Sequence, residues 1–382
     1  MAKALRAVAA ALITLVGVGV IAWIGSRATS NDYIEYWSSS KLFLAGANPY
    51  SVESVLALEK AHGFLLDSPL VMLNPPWSLF VVAPLGLFPA LVGLCLWIVA
   101  EAGCVAASVL LLDVPRQYRT LAFLFTPVIA CFSMEQSSPF LLLGFSLFLR
   151  FYWSRPFIAG ASLLLMTLKP HLFLAFWVIL LADCLFRRRF AVLLGLATAL
   201  AGASAFSTIM VPHVWMDYYR LLHGAALDQN YFPTLPTLLR MAINVKLAWI
   251  ALIPSCVAIV WGFAYYWRNR THWDWRREGM AVMLVTVVTS PYSWASDQVV
   301  FLPALARTLE SRYRYQRHSM ELLTAINCVA LVAFVLRLQL AAWIPLAWLG
   351  YYLYAVRSGV HRKPAEDAKA AESDEARPEL TA

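Results

Sequence analysis

Apolar residues fall in long blocks separated by short polar gaps, over roughly 7–25, 75–88, 90–112, 119–134, 137–152, 156–168, 170–186, 190–211, 247–267, 279–291, 296–309, 319–336 and 340–356. Most blocks approach the ~20 residues that a helix needs to span a bilayer. The pattern predicts an all-α, polytopic transmembrane helical bundle. The block 75–88 is the exception. It is too short to cross at ~1.5 Å per residue and carries Pro75, Pro76 and Pro84. It reads as half-inserted or surface-lying, which leaves about twelve spans. Irregular backbone at that depth is tolerated where it lines a protein cavity, so a site is expected nearby.

The two long polar gaps, 26–74 and 212–246, predict external loops with helices of their own. The tail 361–382 mixes charge with Ala and Pro and reads as disordered. Residues 1–360 therefore form one integral membrane domain. The run Ala7–Gly25 follows Lys3 and Arg6 and carries Trp23, with a poor small-x-small site, so it reads as an uncleaved first helix.

Composition reinforces the pattern. Of 382 residues, 61% are hydrophobic and 14% charged, against about 25% charged in a soluble domain. Mean hydropathy is +0.66. The net charge of +8 suggests nucleic acid at first, but clusters such as Arg187-Arg188-Arg189 and Arg268, Arg270, Arg276, Arg277 are what cytoplasmic loops carry for topology. No nucleic-acid partner is implied. Six scattered cysteines form no CxxC pair and signal neither zinc nor a disulfide framework; they read as buried thiols.

Basic residues also assign sides. Lys3 and Arg6 at one end, Arg362 and Lys363 at the other, and Arg116, Arg119, Arg150, Arg155, Arg187–Arg189, Arg268–Arg277 and Arg312–Arg317 between them all fall on the cytoplasmic side. The other side collects Asp32-Tyr33-Ile34-Glu35-Tyr36, Asn48-Pro49-Tyr50, Glu135-Gln136-Ser137-Ser138, Lys169-Pro170-His171 and Ser290-Pro291-Tyr292-Ser293-Trp294-Ala295-Ser296-Asp297. Ionisable groups near membrane boundaries are costly and mark functional sites by default. Blander readings exist for each. Asp32 could cap a helix, Lys169 could snorkel to headgroups, and Glu135 could be a bundle-interior hydrogen-bonding residue. The aromatic residues fit sugar stacking and equally an aromatic belt. Together, a carboxylate beside a water-facing groove can act as general base on a hydroxyl, and a lysine can hold a phosphate as a point charge.

These segments resemble glycosyltransferase family 87, a group of polytopic GT-C enzymes whose known members include polyprenyl-phosphate-mannose-dependent mannosyltransferases. The resemblance rests on Asp32-Tyr33 with Tyr36, Leu44-Ala45-Gly46-Ala47-Asn48-Pro49-Tyr50, Asn74-Pro75-Pro76-Trp77, Ala83-Pro84-Leu85, Glu135-Gln136-Ser137-Ser138, Leu168-Lys169-Pro170 and Ser290-Pro291-Tyr292-Ser293-Trp294, in order over about 30–300. It implies an inverting hexosyl transfer, with mannose the favoured sugar, from a polyprenyl-phosphate donor to a lipid or glycan hydroxyl. The setting implied is the bacterial inner membrane, with the site facing the periplasm. In the GT-C pattern the acid of the first outer loop is the general base, which maps onto Asp32. Lys169, then His171, are the residues expected at the donor phosphate, with Arg220, Arg240 or Lys246 as other sources of charge. Glu35, Tyr36, Tyr50, Glu135, Gln136, Tyr292, Trp294 and Asp297 are the expected substrate-binding set. No cofactor and no metal is demanded, since the donor is a monophosphate. Family members often carry a histidine just after the Ser-Pro…Ser-Trp segment. This chain reads Ala295-Ser296-Asp297-Gln298 there, and Asp297 could orient a sugar hydroxyl or pair with Lys169. The rival readings are an arabinosyl- or glucosyltransferase of the same architecture, a lipid transporter, and a non-catalytic envelope-assembly subunit.

Overall fold

The computed structural model describes residues 32–224, 234–244, 246–309, 317–336 and 343–360. The first apolar block 7–25, the basic residues Arg312 and Arg314, and the tail 361–382 lie outside the described residues. Among the described residues all regular structure is helical and no strand occurs. Three helices are long and apolar enough to cross a membrane: Ala90–Leu111, Phe190–Met210 and Ala248–Asn269. Less than half of each is buried within the protein, and the outward positions are apolar, among them Leu194, Ile209, Val257 and Val260. An apolar outer face suits lipid rather than water.

The remaining blocks are more broken than their hydropathy predicts. Block 119–134 divides into Arg119–Phe123 and Thr126–Met134. Block 296–309 divides into a 3-10 turn, Ala295–Phe301, and the helix Leu302–Thr308. Ser138–Phe151, Glu278–Val288, Met320–Val335 and Ile344–Val356 are apolar helices below spanning length. Hydropathy reports where chain is apolar, whereas a helix ends wherever proline removes a donor or a side chain competes for the backbone. By length and composition alone, three or four spans stand among the described residues.

The fourth would be a bent pair. Pro156–Leu168 and Pro170–Phe186 meet at Lys169 with a bend of 119°. Pro170 cannot donate the hydrogen bond that would continue the first arm. The feet of the two arms come together, since Arg189 donates to the Tyr152 carbonyl at 3.1 Å. Lys169 is thus the tip of a V. The first arm is clasped by Phe190–Met210 through two glycines. A Cβ at Gly160 would lie 1.9 Å from the Val192 carbonyl oxygen, and one at Gly195 2.1 Å from that of Phe157. Small residues let backbones approach this closely in apolar bundles.

The basic clusters converge on one end of the bundle. Arg150 and Arg276 both approach Asp113 at 4.0 Å. Arg187 donates to the Arg270 and Trp273 carbonyls at 2.8 and 3.0 Å, and Arg307 to the Arg276 carbonyl. Asp183, fully buried, locks this end by accepting from Tyr152 at 2.5 Å, Trp275 at 2.7 Å and Tyr266 at 3.1 Å while pairing with Arg187 at 2.8 Å. From Arg150 the helix Ser138–Phe151 runs ~18 Å to Ser138 at the opposite end, where the candidate site lies.

The expected outer loops do carry helices: Tyr33–Leu44 and Val52–Ala61 in the first, Val214–Gly224 and Leu235–Ile243 in the second. Tyr33–Leu44 ends at Gly46, whose φ of +70° explains the glycine in Ala45-Gly46-Ala47. The proline-rich block becomes short turns, Pro76–Ser78, Leu79–Val82 and Ala83–Leu87. It packs on Tyr33–Leu44, with Ser40 donating to the Val82 carbonyl at 2.8 Å. Of the cysteines expected to be buried, Cys104, Cys131 and Cys184 are, Cys95 is half-buried, and Cys256 and Cys328 are exposed. The latter two lie on the helices Ile253–Asn269 and Arg317–Val335, whose outer faces stay apolar.

Candidate active site

Asp32 precedes the helix Tyr33–Leu44 in the capping position, yet its side chain makes no capping hydrogen bond. The capping reading therefore fails. Its amide is tied at 3.2 Å to the carbonyl of Met134, the last residue of the helix Thr126–Met134. Its carboxylate Oδ2 accepts from Gln136 Nε2. The described residues offer no hydrogen bond to its Oδ1.

Gln136 is delivered by a backbone reversal. Glu135 sits in the left-handed region at φ +56°, uncommon for a residue with a Cβ. Trp97 Nε1 donates to its carbonyl at 2.9 Å. Strain of this kind persists only where surroundings over-determine it, and it collects at functional sites. Beyond the reversal Gln136 meets Asp32, Ser137 meets Tyr36 and Ser138 meets Asp297. Glu135 itself is buried at 2% exposure, in keeping with a bundle-interior residue.

Lys169 enters from the tip of the V. It is buried rather than snorkelling, at 9% exposure. Its Nζ donates to Gln136 Oε1 at 2.6 Å and Asp297 Oδ1 at 2.7 Å, with Ser138 Oγ at 3.4 Å. Asp297 is 1% exposed and also accepts from Ser138 Oγ at 2.5 Å and the Trp294 amide at 2.8 Å. The pairing of Asp297 with Lys169 is the arrangement the sequence left open. Its ammonium is fully engaged, so the residue expected first at the donor phosphate carries no unused N–H.

His171 lies two residues on, its ring stacked on Tyr292 at 3.9 Å. Its Nε2 is enclosed and has no partner among the described residues. Its charged neighbours are Asp297 and Lys169. Trp294 is partly exposed, as a surface offered to a ring would be. Tyr36 and Tyr50 are buried, and their hydroxyls already serve the fold. Tyr36 donates to Ser137 Oγ at 3.3 Å and Tyr50 to the Asn74 carbonyl at 3.0 Å. Of the other cations considered, Arg220 is exposed and pairs loosely with Asp217 at 3.7 Å, and Lys246 is exposed.

Burial shapes the electrostatics at Asp32 and the helix Tyr33–Leu44 that follows it. It pushes the Asp32 carboxyl up to about 6, with Lys169 opposing the rise and Asp297 adding to it. Glu35 is driven well above the ordinary range, by burial first and by Asp32 next. A carboxylate poised near neutrality with one oxygen unengaged can take a proton from a hydroxyl.

A family model described as glycosyltransferase family 87 matches residues 72–291, more than half of the chain. The chain belongs to glycosyltransferase family 87. It is accordingly a glycosyltransferase. No curated protein and no solved structure matches the chain. The family 87 match includes Gln136, Lys169, His171 and Ser290-Pro291. Asp32 and Asp297 fall outside it and are joined to it by the hydrogen bonds to Gln136 and Lys169.

Other residues of this family 87 enzyme were given no individual role from the sequence. Asn74 Nδ2 donates to the Leu168 carbonyl at 2.8 Å and Trp77 Nε1 to that of Thr167 at 3.0 Å, so the Asn74-Pro75-Pro76-Trp77 segment grips the tip of the V. The prolines of this segment point to a site nearby, but not to the tip of the V as what it holds. Glu101 is fully buried midway along Ala90–Leu111, with Glu135 as a charged neighbour. The signal for it was plain: one acid in a 22-residue apolar helix.

Proposed function

We propose that this glycosyltransferase moves a hexose, with mannose favoured, from a polyprenyl-phosphate carrier to the hydroxyl of a lipid or glycan acceptor, with inversion. The observation that carries the reading is Asp32, uncapping and held by Gln136, with Oδ1 available. Asp32 takes the acceptor proton as the acceptor oxygen bonds to the anomeric carbon. The bond from that carbon to the phosphate oxygen breaks, and the carrier leaves as polyprenyl phosphate with the electron pair. A leaving phosphate needs positive or hydrogen-bonding stabilisation rather than a strong acid. The unpartnered Nε2 of His171 is suited to supply a hydrogen bond. Tyr292 and Trp294 are suited to border the sugar, and Glu35 to meet its hydroxyls.

The same reading takes residues 1–360 as a GT-C-type bundle of about twelve spans in the bacterial inner membrane. The shorter apolar helices would cross or re-enter, the loops 26–74 and 212–246 would lie outside with the site, and 361–382 would form a cytoplasmic tail. What supports this is the separation of a basic end from the Asp32 end.

The test is transfer by the purified chain in nanodiscs, from radiolabelled polyprenyl-phosphate sugars to extracted membrane lipids and glycans. Wild-type chain is expected to transfer mannose. Asp32→Asn is expected to lose about 10²- to 10⁴-fold, the usual contribution of a positioned base. Full activity in Asp32→Asn would remove Asp32 from the mechanism.

A further inference from the structure

We infer that Lys169, Gln136 and Asp297 form a relay of fixed polarity that keeps Asp32 ionised and aimed, so that these three act through Asp32 rather than on the donor phosphate. The inference rests on the reading of Asp32 as the base.

The argument starts from what each group can do. An ammonium only donates hydrogen bonds, whereas a primary amide has one donating and one accepting face. Lys169 Nζ stands 2.6 Å from Gln136 Oε1, so the amide must present its NH2 to the other side. That side is Asp32 Oδ2. A flipped amide would set NH2 against the ammonium and oxygen against the carboxylate, two repulsions at once. The amide N–H favours the ionised form of the carboxylate that accepts it and leaves Oδ1 for the acceptor hydroxyl.

Asp297 anchors the relay from behind. Its Oδ1 accepts from Lys169 and Ser138 at 2.7 and 2.5 Å, and its Oδ2 from the Trp294 amide at 2.8 Å. The ammonium faces three acceptors, Gln136, Asp297 and Ser138, and so has no free donor. Two carboxylates and one ammonium leave the cluster negative, which disfavours a phosphate at Lys169. The titratable groups facing Asp32 are Glu35 and Tyr36 from its own helix, Lys169 from the tip of the V and Asp297 from the 295–301 turn. Burial and Asp297 disfavour ionisation of Asp32, and Lys169, acting directly and through Gln136, offsets them.

The experiment is the pH profile of kcat/KM for radiolabelled polyprenyl-phosphomannose in nanodiscs, with extracted membrane lipid as acceptor. It compares wild type, Gln136→Met, Lys169→Met and Lys169→Arg. Loss of the relay is expected to move the acid limb upward by about one pH unit and to lower kcat at least tenfold, with donor KM within about threefold. Lys169→Arg, which keeps the donors, is expected to restore part of kcat. A donor KM raised tenfold or more in Lys169→Met with the limb unmoved would overturn the inference in favour of a phosphate clamp. An unmoved limb in Gln136→Met would overturn it as well. If Lys169→Met does not fold, Gln136→Met decides alone, since it is uncharged and leaves the Lys169–Asp297 pair intact. Failure of the relay is distinct from failure of the proposed function, which Asp32→Asn reports separately.

Discussion

Lys169 Nζ and Asp297 Oδ1 are 2.7 Å apart and both side chains are buried, although 128 residues separate them in the chain. A buried pair of this kind stabilises little relative to a well-packed apolar substitute. Removing one partner strands the other, at a cost of about 3–5 kcal/mol. Asp297→Ala is therefore expected to destabilise the chain by about that amount, and Lys169→Met with Asp297→Leu to recover much of it. Thermal unfolding in detergent checks this. A double variant as unstable as Asp297→Ala would contradict it.

The raised pKa of Asp32 carries a sign. A base must be ionised to work, so transfer should rise with pH through about 6 and level off above. A carboxyl at its ordinary value of 3.8 would place that limb about two pH units lower. The profile between pH 4.5 and 8 distinguishes them, and a rate already flat at pH 5 would count against Asp32.

Glu59 offers a stability test away from the chemistry. Burial pushes its carboxyl up to about 7, with the Leu70 amide opposing the rise. Between 4.5 and about 7 the folded chain therefore holds a proton that the unfolded chain releases. Its contribution to stability is present at low pH and falls as pH rises through that window. Glu59→Gln should flatten this fall. The measurement is the unfolding midpoint of both forms at pH 5 and 8, and an equal slope in the two would refute the assignment.

Gly160 and Gly195 set the spacing of the first arm of the V and the helix behind it. Either glycine replaced by leucine must push the helices apart, because the atoms met are backbone carbonyls. Overpacking of this kind costs about 1–3 kcal/mol or more. We expect lower yield of folded protein and a larger loss of transfer than of stability, since Lys169 sits at the end of the displaced arm. Gly103→Ala, facing open space, is the control and should behave as wild type.

Hydropathy and charge, which are local properties, were enough to read an all-helical membrane chain, helices in both long polar gaps and the gathering of the arginine clusters at one end of the described residues. The ordered motifs were enough for the family, because short segments and their order are read directly along the chain. How the apolar blocks break was not legible. Lys169 and Glu135 both fall at block boundaries in the sequence, but composition does not give the 119° bend at the first or the left-handed backbone of the second. Both are set by proline and by long-range packing rather than by hydrophobicity. The roles within the site were also beyond reach. The resemblance pointed to Asp32 as the base and to Lys169 at the donor phosphate, with capping and snorkelling as the blander readings, but sequence neighbours do not show what holds either side chain. Their actual partners, Gln136 and Asp297, are 104 and 128 residues away. Hydrogen bonds of fixed polarity between such distant side chains exist only once the helices have packed, and that packing decides which oxygen of Asp32 is left for chemistry.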